Sequence, residues 1–281
     1  MTRALVLRAP GINCDRETAY ACRMVGFETE LVHINNVLKA PEHLLDYDFL
    51  VIPGGFSYGD DLGAGTLLAK NLTVHLGQHL HRFIDEGRPV LGICNGFQVL
   101  VRAGLLPGRI EDTPNISDGH PFAPACSLTD NTSTQFECRW IGLAIQQSTC
   151  IFTQGEEQCI ELPVAHGEGR FVLADPLMLN RLQADGQIPL VYTELEPMAI
   201  GSGEGHDRTV PYPDNPNGSF GNIAGICNAQ GNVLGLMPHP ERYVNALQHP
   251  RRRGTANGQG DGLLIFKNAY EYARNRERVV L

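Results

Sequence analysis

The residues from Val90 to Gln98 read Val-Leu-Gly-Ile-Cys-Asn-Gly-Phe-Gln, an apolar run that ends at a cysteine held between Gly92 and Gly96. An apolar stretch after Pro89 fits a buried strand, and Phe97, Val99, Leu100 and Val101 fit the first turns of a helix. Cys94 then stands at a strand-to-helix corner, where small neighbours permit a sharp turn and close approach of substrate. The positive end of the following helix would favour thiolate, the attacking form of cysteine. Taken alone, a cysteine ending a core strand is as often inert filling as a nucleophile.

A second segment supplies what a nucleophile needs. Val233 to Arg242 reads Val-Leu-Gly-Leu-Met-Pro-His-Pro-Glu-Arg, a short apolar strand delivering His239 and Glu241 at its end. Residues two apart in extended chain project to the same side, so Glu241 can orient and charge-balance the His239 imidazole. Cysteine, histidine and carboxylate would form a triad, recognised by roles and not by chain order. A third segment, Phe49 to Asp60, runs an apolar strand into Pro-Gly-Gly. The amide of Gly55, with that of Asn95 after the nucleophile, could surround a tetrahedral oxyanion. An ordinary glycine-rich loop is the plainer reading of that turn.

These segments resemble the triad-type, or class I, glutamine amidotransferases. Within them they are similar to the glutaminase-subunit family of phosphoribosylformylglycinamidine synthase. Asn95-Gly96-Phe97-Gln98, Phe56-Ser57-Tyr58-Gly59-Asp60 and Ala165-His166-Gly167-Glu168-Gly169 point to that member. Further matches lie at Pro10 to Asp15, Asn215 to Ser219 and Ile223 to Ile226, in the same order from the first strand almost to the C-terminus. The resemblance implies hydrolysis of glutamine through a Cys94 thioester, with His239 and Glu241 completing the triad and Gln98 contacting glutamine. His166 and Glu168 match a motif of the family and are expected on the partner-facing side, without a catalytic role. It also implies a separate synthetase subunit that uses ATP and magnesium to convert formylglycinamide ribonucleotide to its amidine in purine synthesis, and a small accessory subunit. No cofactor or metal is expected in this chain, and no Walker-type phosphate loop occurs in it. A stand-alone Cys-His amidase or protease-like hydrolase of the same fold group, and a scaffold without chemistry, remain as alternatives.

Composition agrees. A chain of 281 residues with 42% hydrophobic content can bury one sizeable core, so residues 1–281 are expected as a single domain. A net charge of -9 without a basic block argues against a nucleic-acid footprint. Arg251-Arg252-Arg253, flanked by proline and glycine, reads as a solvated loop. No apolar stretch approaches a membrane span, and the chain enters a strand at once without a leader, so a cytoplasmic, free-standing subunit is expected. The eight cysteines show no Cys-x-x-Cys pair and no zinc-ligand spacing. All but Cys94 read as structural thiols, and Cys14, after a glycine turn, is the one rival nucleophile.

Apolar periodicity outlines the secondary structure around these residues. Strands at Leu5 to Leu7, Glu30 to Ile34 and Phe49 to Ile52 alternate with helices over Arg16 to Val25 and Leu67 to Ile84. The spacing predicts an open, mainly parallel, doubly wound α/β sheet of flavodoxin-like kind, with functional loops at the carboxyl ends of its strands. Possible strands at Phe136 to Ile141 and Cys159 to Val164 suggest an antiparallel extension, and Leu263 to Ala273 a closing helix. Insertions are expected near 114–159, 199–218 and 250–261.

Overall fold

The computed structural model describes residues 1–108, 125–195, 209–251 and 258–279. The parts of the expected insertions at 114–124, 199–208 and 252–257, with Arg252 and Arg253, lie outside the described residues.

Four parallel strands and their helices build the half of the molecule that carries the cysteine elbow. β1 (Arg3–Arg8) is followed by α1 (Asp15–Val25), β2 (Glu28–His33), the short α2 (Ile34–Lys39) and β3 (Phe49–Ile52). α3 (Thr66–Asp85), β4 (Val90–Ile93) and α4 (Asn95–Arg102) come next. β3 and β4 read Phe-Leu-Val-Ile and Val-Leu-Gly-Ile and are buried at every residue, as strands covered on both faces must be. α3 buries Leu68, Leu72, Leu76, Leu80 and Phe83, a repeat of three to four residues that keeps one apolar stripe against the sheet. Each such side chain contributes about 1.5–3 kcal/mol on leaving water.

The chain then leaves the parallel pattern. β5 (Cys126–Thr129) pairs antiparallel with β8 (Arg170–Leu173) as a separate two-stranded ribbon. β6 (Glu137–Ile145), β7 (Cys159–His166), β9 (Leu190–Thr193), β10 (Ile223–Cys227) and β11 (Val233–Leu236) join the main sheet; α5 (Met178–Ala184) lies between β8 and β9, and α6 (Leu263–Val279) closes the chain. The sheet has nine strands in the order β2-β1-β3-β4-β11-β10-β9-β6-β7. From β2 to β11 neighbours run parallel, and from β11 to β7 they run antiparallel. The expected mainly parallel sheet with an antiparallel extension is therefore observed, and the extension holds more strands than the sequence suggested. Each anticipated strand and helix is present, most of them longer, although the strand expected at Glu30 to Ile34 ends at His33, where α2 begins.

One packing detail decides where the nucleophile elbow sits. Gly92 of β4 is the registered neighbour of Gly235 of β11. A Cβ on Gly92 would stand 2.5 Å from Leu100 Cδ1, and one on Gly235 would stand 2.1 Å from Phe97 Cδ2. The two adjacent glycines thus open a shallow seat on the sheet, into which α4 drops with Phe97 and Leu100 fully buried. β4 and β11 consequently end side by side, one at Cys94 and the other just before His239. Among the described residues no helix is long and apolar enough to cross a membrane.

Candidate active site

Cys94 has φ 51° and ψ −104°, the left-handed side of backbone space that a residue with a Cβ avoids. The corner is held by its neighbours: the Cys94 N–H donates to Leu236 O at 2.8 Å, and the N–H groups of Phe97 and Gln98 donate to Cys94 O. Gly96 is obligatory there, because a Cβ would lie 1.9 Å from the Ile52 carbonyl oxygen. The elbow expected from the sequence is thus present, with its strain carried by the nucleophile candidate itself. Cys94 is 6% exposed, and its thiol points to Ala165 O at 3.7 Å.

His239 and Glu241 leave the end of β11 through a short helical turn beginning at Pro240. His239 Nδ1 lies 2.6 Å from Glu241 Oε1, and both side chains are buried. Burial alone would push the imidazole pKa down. The Glu241 carboxylate, the Cys94 sulfur and polar contacts with Cys14 and Cys94 outweigh it, so the pKa stands well above the ordinary histidine value. His239 Nε2 is buried and makes no hydrogen bond. The structure therefore brings together the triad residues read from the sequence.

Gly54 marks their meeting point. A Cβ there would lie 2.8 Å from His239 Cε1, 3.3 Å from Cys14 Sγ and 3.5 Å from Cys94 Cβ. Gly55 follows at φ 145° in an isolated antiparallel bridge with Ile12. The bridge uses the Asn13 N–H to Gly54 O and the Phe56 N–H to Gly11 O, so the Gly55 N–H takes no part in it. Asn95 contributes the first amide of α4, where backbone N–H groups have no helical partner.

Side chains tie these loops to one another. Asn95 Oδ1 accepts the Ser57 N–H at 3.1 Å, and its Nδ2 donates to Asp60 Oδ1 and to Gln98 Oε1. Gln98 Nε2 donates to Glu168 O at 2.6 Å. Gln98 is therefore a buried brace between the elbow and the segment after β7, and not a surface residue of its helix.

His166 is also buried, whereas Glu168 is partly exposed. The reason is a polar network. Asn131 Oδ1 takes His166 Nδ1 at 3.0 Å and the Gly169 N–H at 3.1 Å, while its Nδ2 donates to His166 O. Asn217 Nδ2 donates to Gly169 O and Tyr192 Oη, with His166 Nε2 at 3.4 Å. Burial, with the nearby His239, lowers the His166 pKa to about 4. A neutral ring with Nδ1–H donating and Nε2 accepting fits both partners.

Two members of the site had no role assigned from the sequence: Arg242, the last residue of its own motif, and the asparagine network. Cys14 Sγ, a His239 ring nitrogen and a Glu241 carboxylate oxygen lie within 4.8 Å of one another, the one such donor cluster among the described residues. Arg242 Nη2 donates to Cys14 Sγ at 3.1 Å, and its Nε is 3.8 Å from Glu241 Oε1. The cation beside this cluster is thus a guanidinium. Away from the site, Arg251 of the basic run pairs with Glu161 at 2.6 Å.

The chain matches the family model of the CobB/CobQ-like glutamine amidotransferase domain over residues 1–273. It is 45% identical to a phosphoribosylformylglycinamidine synthase subunit PurQ of Dehalococcoides mccartyi, over 97% of this chain and 98% of that one. The PurQ subunit of Archaeoglobus fulgidus is 41% identical, covering 96% of each chain. Among solved structures, a chain in the structure of PurLQS from Thermotoga maritima superposes with a TM-score of 0.67 at 31% identity, covering 96% of this chain and 98% of that chain.

Proposed function

The chain belongs to the CobB/CobQ-like glutamine amidotransferases and, within them, to the PurQ subunits of phosphoribosylformylglycinamidine synthase; from that membership we propose that it hydrolyses glutamine and hands the ammonia to a separate synthetase subunit. The observation that carries the chemistry is the buried His239–Glu241 pair at 2.6 Å beside a cysteine held at positive φ. In this role residues 1–281 would act as one domain in the cytoplasm.

In this proposal Cys94 is the nucleophile. Its proton passes to His239, whose raised pKa makes the imidazolium available at neutral pH. The sulfur attacks the side-chain carboxamide carbon of glutamine, and the amides of Gly55 and Asn95 bind the oxyanion. His239 returns the proton to the departing nitrogen, the C–N bond breaks, and ammonia leaves a γ-glutamyl thioester on Cys94. The neutral imidazole then takes a proton from water, which attacks the thioester and releases glutamate. Glu241 holds the ring with Nε2 toward the reacting atoms throughout. Gln98, with its amide engaged at both ends, shapes the glutamine subsite together with the segment around Glu168.

Ammonia set free in neutral water is protonated and loses its nucleophilic lone pair, so a shielded transfer to the partner is part of the proposal. The partner would bind ATP, magnesium and formylglycinamide ribonucleotide, and a small accessory protein would complete the assembly. The test is a complex reconstituted with the synthetase subunit. Cys94→Ala should abolish glutamine-dependent amidine formation and leave ammonia-dependent formation intact. Full glutamine-dependent activity in that variant would refute the proposal. Hydrolysis of unrelated amides without a partner would favour the stand-alone hydrolase.

A further inference from the structure

The site holds a second sulfur that the proposed chemistry leaves unused. Cys14 is 1% exposed at the start of α1, and its Sγ lies 3.2 Å from Asn13 Oδ1 as well as 3.1 Å from Arg242 Nη2. Burial raises its pKa, and contact with His239 only partly offsets the rise. Arg242 is anchored on this sulfur at one end and reaches toward Glu241 at the other, at 3.8 Å, beyond hydrogen-bond range.

That geometry is unexpected for its chemistry. A guanidinium prefers a carboxylate in a two-pronged grip, and Glu241 Oε2 is buried with no hydrogen bond. If Arg242 turned fully onto Glu241, it would compete with His239 for Oε1. Resting on the proposed glutaminase reading, we propose that Cys14 and Arg242 are positioning residues. Cys14 holds the guanidinium off Glu241, which keeps the carboxylate available to orient His239, while the positive charge at 3.8 Å tempers how strongly that carboxylate holds the imidazolium proton. Neither residue touches substrate in this role.

The charged groups facing His239 come from every neighbouring element. Glu241 and Arg242 belong to the turn after β11, Cys94 to the elbow, Cys14 to the start of α1, and His166 to the end of β7. Behind them, Asp15 is paired with Arg8 at 2.6 Å, and Glu17 acts on Arg242. Of these, Arg242 is the one cation that reaches both Cys14 and Glu241 among the described residues.

The experiment is the rate at which a glutamine-like diazoketone labels Cys94 in the complex reconstituted with the synthetase subunit, followed against pH by intact mass of this chain. The diazo carbon must gain a proton before dinitrogen leaves and sulfur attacks, so the alkaline fall-off follows the His239 imidazolium. Cys14→Ala is expected to label about tenfold more slowly at neutral pH, with its fall-off moved to lower pH, because the freed guanidinium closes onto Glu241. Arg242→Met is expected to move the fall-off to higher pH. Cys14→Ser, whose oxygen still accepts from Arg242, should stay within about threefold of the unaltered protein. Fall-offs that move in the same direction in the two variants, or do not move, overturn the proposal while Cys94 labelling in the unaltered protein sustains the glutaminase reading. Absence of label on Cys94 in the unaltered protein overturns both. If Cys14→Ala does not fold, the direction of the Arg242→Met shift alone decides.

Discussion

The side-chain amide of Gln98 spans from Asn95 Nδ2, which it accepts at 2.9 Å, to the carbonyl oxygen of Glu168, to which it donates at 2.6 Å. One glutamine thereby couples the nucleophile elbow to the segment that follows β7. Gln98→Ala should free that segment and leave the Glu168 carbonyl unpaired. We expect KM for glutamine to rise about tenfold or more, with a smaller change in kcat. A change confined to kcat would mean that the brace serves the elbow alone.

The His239–Glu241 pair is buried, so its two members depend on each other. Glu241→Gln removes the charge that opposes the effect of burial, and the His239 pKa should then fall below the ordinary histidine value. The turnover rate should drop on the order of a thousandfold, through loss of both orientation and acid strength. Imidazole titration by NMR, beside glutaminase rates, checks both; an unmoved titration would show that Glu241 does not act on the ring.

pH bears on stability in two opposite ways. His239 has a raised folded pKa, so the stability it lends is full below the unfolded histidine value of about 6.5 and is lost as pH rises through the raised one. His166 has a folded pKa lowered to about 4. The unfolded chain binds its proton first, so stability falls as pH drops from about 6.5 to about 4, by roughly 3 kcal/mol at most. Denaturant midpoints between these limits should show that acid slope, and His166→Gln should flatten it although the variant is weaker throughout.

Gly96→Ala places a methyl group 1.9 Å from the Ile52 carbonyl oxygen, in the backbone of the adjacent strand. The contact has no flexible side chain to absorb it, so the elbow must shift. A loss of about 3 kcal/mol or more is expected in chemical denaturation. A loss under about 1 kcal/mol would mean that the corner is softer than its geometry implies.

Much of this architecture could be read from the sequence, for identifiable reasons. The Val-Leu-Gly-Ile before Cys94 and the Val-Leu-Gly-Leu before His239 are short, bounded and apolar, so both strands were legible and their loops could be expected to converge. Cys94, His239 and Glu241 accordingly meet where expected. What was hidden depends on contacts distant in the chain. Nothing local in Asn131 or Asn217 reveals that both clamp His166 and Gly169, so a buried His166 could not be told from a surface one. The ribbon of β5 and β8, and strand β9, have four residues each and little periodicity to announce them. Arg242 stood in plain view within its motif, but its partner Cys14 lies at the other end of the chain.

The most direct experiment is inactivation of the reconstituted complex by the glutamine-like diazoketone, with adduct mass, adduct position and remaining glutaminase activity measured on the same samples. One adduct per chain should map to Cys94 and rise in step with the loss of glutamine-dependent activity. An adduct on Cys14, or glutaminase activity persisting after Cys94 is fully modified, would contradict the assignment of the nucleophile.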